Sequence, residues 1–194
     1  VARMSDLESV FCRTPMWRVA ARRLVVPRVL EGPVGPRVLE IGCGSGAMAV
    51  EVLRARRDVT RYVATDVDPA MVELASRQLA DLGERAEARQ VDATGLPYED
   101  ATFDTVCSWL MLHHTIEWER VVADAVRVLR PGGRFVGYDL PDSRLSRAVH
   151  TLTRSEVRMI AADDLVAELG RLGMRELVVE PLGVAGAYRF SATR

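Results

Sequence analysis

Apolar positions recur along this chain with two different periods, and the alternation between them outlines a fold. Short segments, most of them rich in apolar residues, read as strands at Val38–Ile41, Arg61–Thr65, Ala88–Asp92, Phe103–Leu110, Arg134–Tyr138, Met174–Glu180 and Tyr188–Ala192. Between them, apolar residues spaced three and four apart predict helices at Ala47–Arg56, Pro69–Leu82, Glu117–Leu129 and Asp163–Leu172. Phe103–Leu110 is apolar at five of its eight positions and carries one charge, Asp104, which suits a strand covered on both faces. Strands alternating with helices predict an α/β sheet, mostly parallel, with crossover helices on both faces. Ahead of the first strand, Val1–Glu31 carries Phe11, Met16, Trp17, Val19, Ala20 and Leu24 at helical spacing, with Arg13, Arg18, Arg22 and Arg23 between them. That pattern predicts one or two amphipathic helices on the sheet, ended by Gly32-Pro33-Val34-Gly35-Pro36.

The junction after the first strand carries the candidate chemistry. Gly42, Gly44 and Gly46 occupy alternate positions of Gly-Cys-Gly-Ser-Gly, between a strand and a helix N-terminus, where a backbone turns tightly and approaches a nucleotide cofactor. Asp66 ends the second strand twenty residues later, near the spacing at which a βαβ unit returns an acid to a ribose hydroxyl pair. Asp68, just before Pro69, reads as the N-cap of the next helix. A dinucleotide-binding turn spaces its third glycine one residue later, where Ala47 stands here, so a nicotinamide-dependent oxidoreductase is the weaker alternative.

Four stretches, Val38–Gly46, Ala64–Leu74, Gln90–His114 and Val128–Leu140, occur in the order and spacing that resemble the class I S-adenosylmethionine-dependent methyltransferases. The likeness is to the small-molecule, quinone-methylating branch. The resemblance implies a Rossmann-like sheet of seven strands with the last antiparallel to its neighbour, and a cofactor at the C-terminal ends of strands one to four. It implies that Glu40 orients the cofactor's amino group, that the Gly42, Gly44 and Gly46 backbone lies along its methionine and ribose, and that Asp66 holds the ribose. By the same likeness Val67 covers the adenine, Asp92 and the Ala93 amide meet its amino group, and Trp109 lies beside the cofactor or within the sheet. The segment before the glycine turn covers the cofactor in related enzymes, which would bring Phe11 or Trp17 near the acceptor.

Composition narrows the reaction. The chain has no lysine and no asparagine, which excludes Schiff-base catalysis, a P-loop lysine and the lysine- and asparagine-dependent nucleic-acid methyltransferase motifs. Cys12, Cys43 and Cys107 follow no proline and lack metal spacing, so neither a nucleophilic cysteine nor a metal is expected. With 26 basic and 27 acidic residues, no overall field recruits nucleic acid. No apolar run reaches the about 18 residues that span a bilayer. Three cysteines and an N-terminus unlike a signal suggest the cytoplasm.

Methyl transfer from a sulfonium asks mainly for alignment, and a base only where the acceptor must lose a proton. His113 and His114, adjacent at a strand end, are the candidate bases, with loop anchoring the competing role. Tyr138 and Asp139, at the end of strand five, are candidate acceptor contacts, Asp139 alternatively only starting a loop. Between Pro141 and Ala161, Arg144, Arg147, Arg154 and Arg158 form a stripe opposite Leu145, Val149, Leu152 and Met159; this helix is a solvated face or, through Arg147, meets an anionic acceptor or a lipid surface. The expected organisation is one domain: a helical cap (1–34), a cofactor core (35–140), a short acceptor-side insert (141–162) and a closing helix and strands (163–194). The expected reaction is methyl transfer from S-adenosylmethionine to a small-molecule acceptor, giving S-adenosylhomocysteine. A non-catalytic S-adenosylmethionine-binding module and a lipid-surface methyltransferase, bound peripherally, are the remaining alternatives.

Overall fold

In the computed structural model, residues 14–143, 157–183 and 186–194 are described. Seven strands form one sheet in the order β3-β2-β1-β4-β5-β7-β6. They are β1 Arg37–Ile41, β2 Arg61–Asp66, β3 Ala86–Gln90, β4 Phe103–Trp109, β5 Leu129–Asp139, β6 Arg175–Pro181 and β7 Tyr188–Thr193. The first five pair in parallel, while β7 runs antiparallel between β5 and β6. The helices are α1, running through Pro15–Ala20, a π-helical stretch Ala21–Val25 and Val26–Val29, then α2 Ala47–Ala55, α3 Pro69–Leu79, α4 Trp118–Val128 and α5 Ala162–Arg171. Strand order changes direction between β1 and β4, so the crevice outside their C-terminal ends is the topological switch point.

Alternation along the strands divides the core into two layers. Val38, Tyr62, Ala64, Cys107, Trp109, Val136 and Tyr138 face α1 and α2 on one side. Leu39, Ile41, Val63, Val106, Phe135 and Phe190 face α4 and α5 on the other. Helix α2 is buried throughout Ala47–Leu53, a consequence of lying between the sheet and the N-terminal helix.

Three expectations change. The apolar stripe of α1 is Ala21, Val25, Val26 and Val29, all about 1% exposed or less, whereas Val19 and Leu24 are 52% and 40% exposed. The π-helical stretch shifts the helical phase there, which spacing based on 3.6 residues per turn does not anticipate. Strand β5 begins at Leu129, earlier than Arg134, because Arg130-Pro131-Gly132-Gly133 is carried as an irregularity in the β4–β5 register; Gly132 N–H donates to the Arg194 carbonyl at 2.9 Å and Arg194 N–H to that of Gly133 at 2.9 Å. Most of the arginine-striped segment lies outside the described residues, and the parts within them, 141–143 and 157–161, are not helical. Arg158 is anchored instead, its amide donating to the His113 carbonyl at 2.8 Å and its guanidinium pairing with Glu119 at 2.6 Å over the Trp118 ring.

Candidate cofactor site

The glycine turn after β1 has a left-handed backbone at all three glycines, with φ of 68°, 51° and 80° at Gly42, Gly44 and Gly46. Two of these glycines also serve internal packing. A Cβ on Gly42 would fall 2.0 Å from Met111 Cγ, and one on Gly46 would fall 3.0 Å from the Cα and Cβ of Ala75 in α3. The turn is tied to β2 at two points: Cys43 N–H donates to the Thr65 carbonyl at 2.8 Å, and Gly44 N–H donates to Asp66 Oδ2 at 2.8 Å. Asp66 Oδ1 accepts from Asp68 N–H at 2.9 Å, and Asp68 caps α3 by accepting from Ala70 N–H at 2.9 Å. Burial raises the Asp66 carboxyl above its ordinary range, against the lowering effect of the Asp68 and Gly44 amides.

Glu40 is 1% exposed at the end of β1. Tyr62 OH donates to its Oε2 at 2.9 Å, and among the described residues no cation pairs with it. Desolvation pushes its carboxyl up to about 8, Tyr62 opposing and Asp66 adding to the rise. Asp92, just past β3, is exposed and held below the usual carboxylate range by Thr94, whose N–H and Oγ1 donate to its Oδ1 at 2.9 and 2.8 Å. Its loop is clamped to α4: Arg127 bonds Asp124 at 2.6 Å, Asp100 and the Tyr98 carbonyl at 2.8 Å and the Leu96 carbonyl at 2.9 Å, while Leu96 N–H donates to Asp124. Val67 and Ala93 are half-buried beside these acids.

On the other side of the crevice, Leu110 takes a left-handed φ of 54° and turns the chain into a 3₁₀ turn, Leu112–His114. Trp109 and Tyr138 are buried register partners with ring centroids 5.9 Å apart, on the α1 side of the sheet. His113 and Asp139, 1% and 0% exposed, pair through Nδ1 and Oδ1, and Leu140 N–H donates to the same oxygen at 2.7 Å. The Asp139 carboxylate is thereby committed to His113 and the local backbone. His114 is half-buried, its ring 4.1 Å from that of His113. Phe11 and Arg147 lie outside the described residues, as does the side chain of Trp17. Tyr62, Met111, Asp124 and Arg127 escaped the reading of the sequence, because each acts through a partner on another element.

The chain's residues 39–137, just over half of it, match the family described as "Methyltransferase domain". The chain belongs to the class I S-adenosylmethionine-dependent methyltransferases. It is 35% identical over 121 residues to demethylmenaquinone methyltransferase of Clavibacter sepedonicus, covering 62% of this chain and 46% of that protein. To 27-O-demethylrifamycin SV methyltransferase of Amycolatopsis mediterranei (strain S699) it is 32% identical over 176 residues, covering 82% of this chain and 64% of that one. The chain thus spans 46% and 64% of the lengths of these two curated relatives. A solved S-adenosylmethionine-dependent methyltransferase from Aquifex aeolicus shares the fold with a TM-score of 0.77 at 18% identity, over 98% of this chain and 99% of that one.

The residues of this chain fit the family's cofactor, S-adenosylmethionine, better than a pyrophosphate. Glu40, Asp66 and Asp92 put three carboxyl groups at three strand ends, and no described arginine pairs with any of them. Such an acceptor set suits a ligand carrying an ammonium, a sulfonium and hydroxyls. The Gly44 amide, which in an anion-binding turn would face a phosphate oxygen, is spent on Asp66.

Proposed function

We propose that this protein transfers a methyl group from S-adenosylmethionine to a small-molecule acceptor and releases S-adenosylhomocysteine. The observation that carries the reading is the closure of the glycine turn, at the switch point of the sheet, on Asp66, with Glu40 near the end of β1 and Asp92 just past that of β3. In this reading Glu40 orients the cofactor's amino group and the Gly42–Gly46 backbone follows its methionine and ribose. Asp66 accepts from the ribose hydroxyls, Val67 covers the adenine, and Asp92 with the Ala93 amide meets the adenine amino group. Trp109 and Tyr138 close the buried side. The bound cofactor supplies a methyl group on a sulfonium, a leaving group that needs no protonation.

The rest of the work is alignment, worth about 7–11 kcal/mol in favourable intramolecular cases. Where an acceptor must lose a proton, we assign the base to His113, whose Nδ1 pairs with the Asp139 carboxyl. His114 would then line the mouth. Phe11, Trp17 and Arg147 keep their proposed acceptor-side roles from sequence position. The acceptors named for the relatives, a demethylmenaquinone and a demethylrifamycin, support a small molecule over a macromolecule.

Calorimetric titration with S-adenosylhomocysteine and with NAD tests the cofactor reading. Micromolar or tighter binding of the first and none of the second is expected; the reverse would refute it. Transfer of a labelled methyl group to small molecules of a cell extract then separates an enzyme from a binding module.

A further inference from the structure

The buried face of the sheet below the glycine turn holds a polar pair that the local sequence does not announce. Register places Val38 opposite Tyr62 and Glu40 opposite Ala64, so Tyr62 and Glu40 are diagonal neighbours on one face of β1 and β2. Both are buried, Tyr62 at 0% and Glu40 at 1% exposure, and the phenol donates to Oε2 at 2.9 Å. That bond leaves Oε1 to carry the acid's own proton when Glu40 is neutral, and to face a ligand donor when it is not. We infer that Tyr62 and Glu40 form a proton-linked clamp for a primary ammonium, releasing a proton to solvent when the cofactor's amino-acid arm docks, with Tyr62 as the positioning residue. The inference rests on the reading that puts the cofactor's amino group at Glu40.

Burial raises the Glu40 carboxyl, the Tyr62 hydrogen bond lowers it, and no cation among the described residues pairs with it. Asp66 at the end of β2 adds repulsion to a charge on Glu40. Cys43 in the turn and Cys107 on β4 are both buried thiols pushed up by desolvation and by Glu40, with Arg134 reaching only as far as Cys107. Tyr62 is likewise pushed up by burial and by Glu40, so the phenol stays a donor. A carboxyl in these surroundings, raised to about 8, is protonated at neutral pH before an ammonium arrives. An ammonium at Oε1 supplies the missing counter-charge. The neutral acid then loses its proton to solvent, the carboxylate keeps the Tyr62 bond on Oε2, and the ligand keeps all its protons. Net charge balances with one hydron leaving the complex.

The sign follows from linkage: binding that releases a proton tightens as pH rises. From pH 6 to pH 7 the affinity for S-adenosylhomocysteine should rise about tenfold and level off near pH 8, where the buried Glu40 carboxyl ionises without a ligand. Calorimetry in buffers of different ionisation heat at pH 7 should show close to one proton released per ligand bound. 5′-Methylthioadenosine, which lacks the amino-acid arm, should release none and bind with a flat pH profile. Glu40→Gln should abolish the release and flatten the profile for S-adenosylhomocysteine. Tyr62→Phe removes the bond that lowers the Glu40 carboxyl, so affinity at pH 7 should fall while the pH rise extends upward; a purely structural role would not move that midpoint.

Binding of S-adenosylhomocysteine without proton release, or equal release by Glu40→Gln, would overturn the clamp and leave the methyltransferase reading standing. An unmoved midpoint in Tyr62→Phe would overturn the role of Tyr62. No binding of either nucleoside at any pH would remove the cofactor reading and the clamp with it.

Discussion

Replacing Glu40 by Gln should make the cofactor-free protein more stable, and increasingly so as pH rises. The native carboxyl is raised from 4.5 to about 8, so between those values the folded chain binds more protons than the unfolded one. Stability contributed by the neutral acid is therefore present below about pH 4.5 and lost as pH climbs towards 8. At about 1.4 kcal/mol per pH unit, the loss amounts to on the order of 5 kcal/mol by pH 8. Glutamine keeps an oxygen for the Tyr62 hydroxyl, fills the same space and cannot ionise. Urea unfolding of the cofactor-free protein at pH 5, 6, 7 and 8 should show the two proteins nearly equal at pH 5 and diverging to several kcal/mol at pH 8, with Glu40→Gln the more stable. The difference between the two isolates Glu40 from Asp66, whose carboxyl is also raised by burial. Parallel pH profiles would refute the argument, because they would mean that Glu40 ionises in the fold as easily as in water. If the divergence is seen, the site holds a destabilised acid in exchange for a ligand contact.

Gly46→Ala must adopt a φ of 80° and bring its Cβ within 3.0 Å of Ala75, so it should cost about 1–2 kcal/mol from the left-handed backbone alone, with a lowered midpoint in thermal unfolding. His113→Ala leaves the buried Asp139 carboxylate without its imidazole partner and should destabilise by about 3–5 kcal/mol in urea unfolding. If His113 is the base, His113→Gln should lower the rate by about 10²–10⁴-fold with S-adenosylhomocysteine affinity unchanged. Arg127→Ala releases the Leu96–Asp100 loop and should weaken S-adenosylhomocysteine binding severalfold, through Asp92, without changing the rate at saturating cofactor. Asp66→Ala and Asp92→Ala each remove a charged acceptor worth about 1.5–3 kcal/mol of cofactor binding; unchanged affinity in both would show the assigned positions to be wrong.

The chain by itself determined whatever depends on neighbours within a turn or a strand. Periodicity identified all seven strands within a few residues at most ends, except β5, and the helices that cross between them. The turn at Gly42–Gly46 and the Asp68 cap were legible because a left-handed glycine and a capping acid act on amides one to three residues away. The end of β2 is legible too, and with it Asp66, whose Oδ1 accepts from the Asp68 amide two residues on.

Only tertiary structure decided which side chains meet across elements. Tyr62 reads as one more strand aromatic until the β1–β2 register sets its hydroxyl against Glu40. His113 and Asp139 are 26 residues apart, and their pairing depends on β4 and β5 being neighbours with both chain ends at the same edge of the sheet. That contact turns Asp139 from a candidate acceptor contact into the partner of His113. Glycine spacing alone suggests that Gly42 and Gly46 make room for a ligand; in the fold both also make room for Met111 and Ala75, which approach from other elements. The buried stripe of α1 moved because a π-helical stretch alters the period on which the reading relied. Side-chain period and backbone propensity are local quantities, whereas strand order and register are set by the simultaneous burial of both sheet faces. A short polar contact between distant residues becomes predictable only after that burial has fixed their distance.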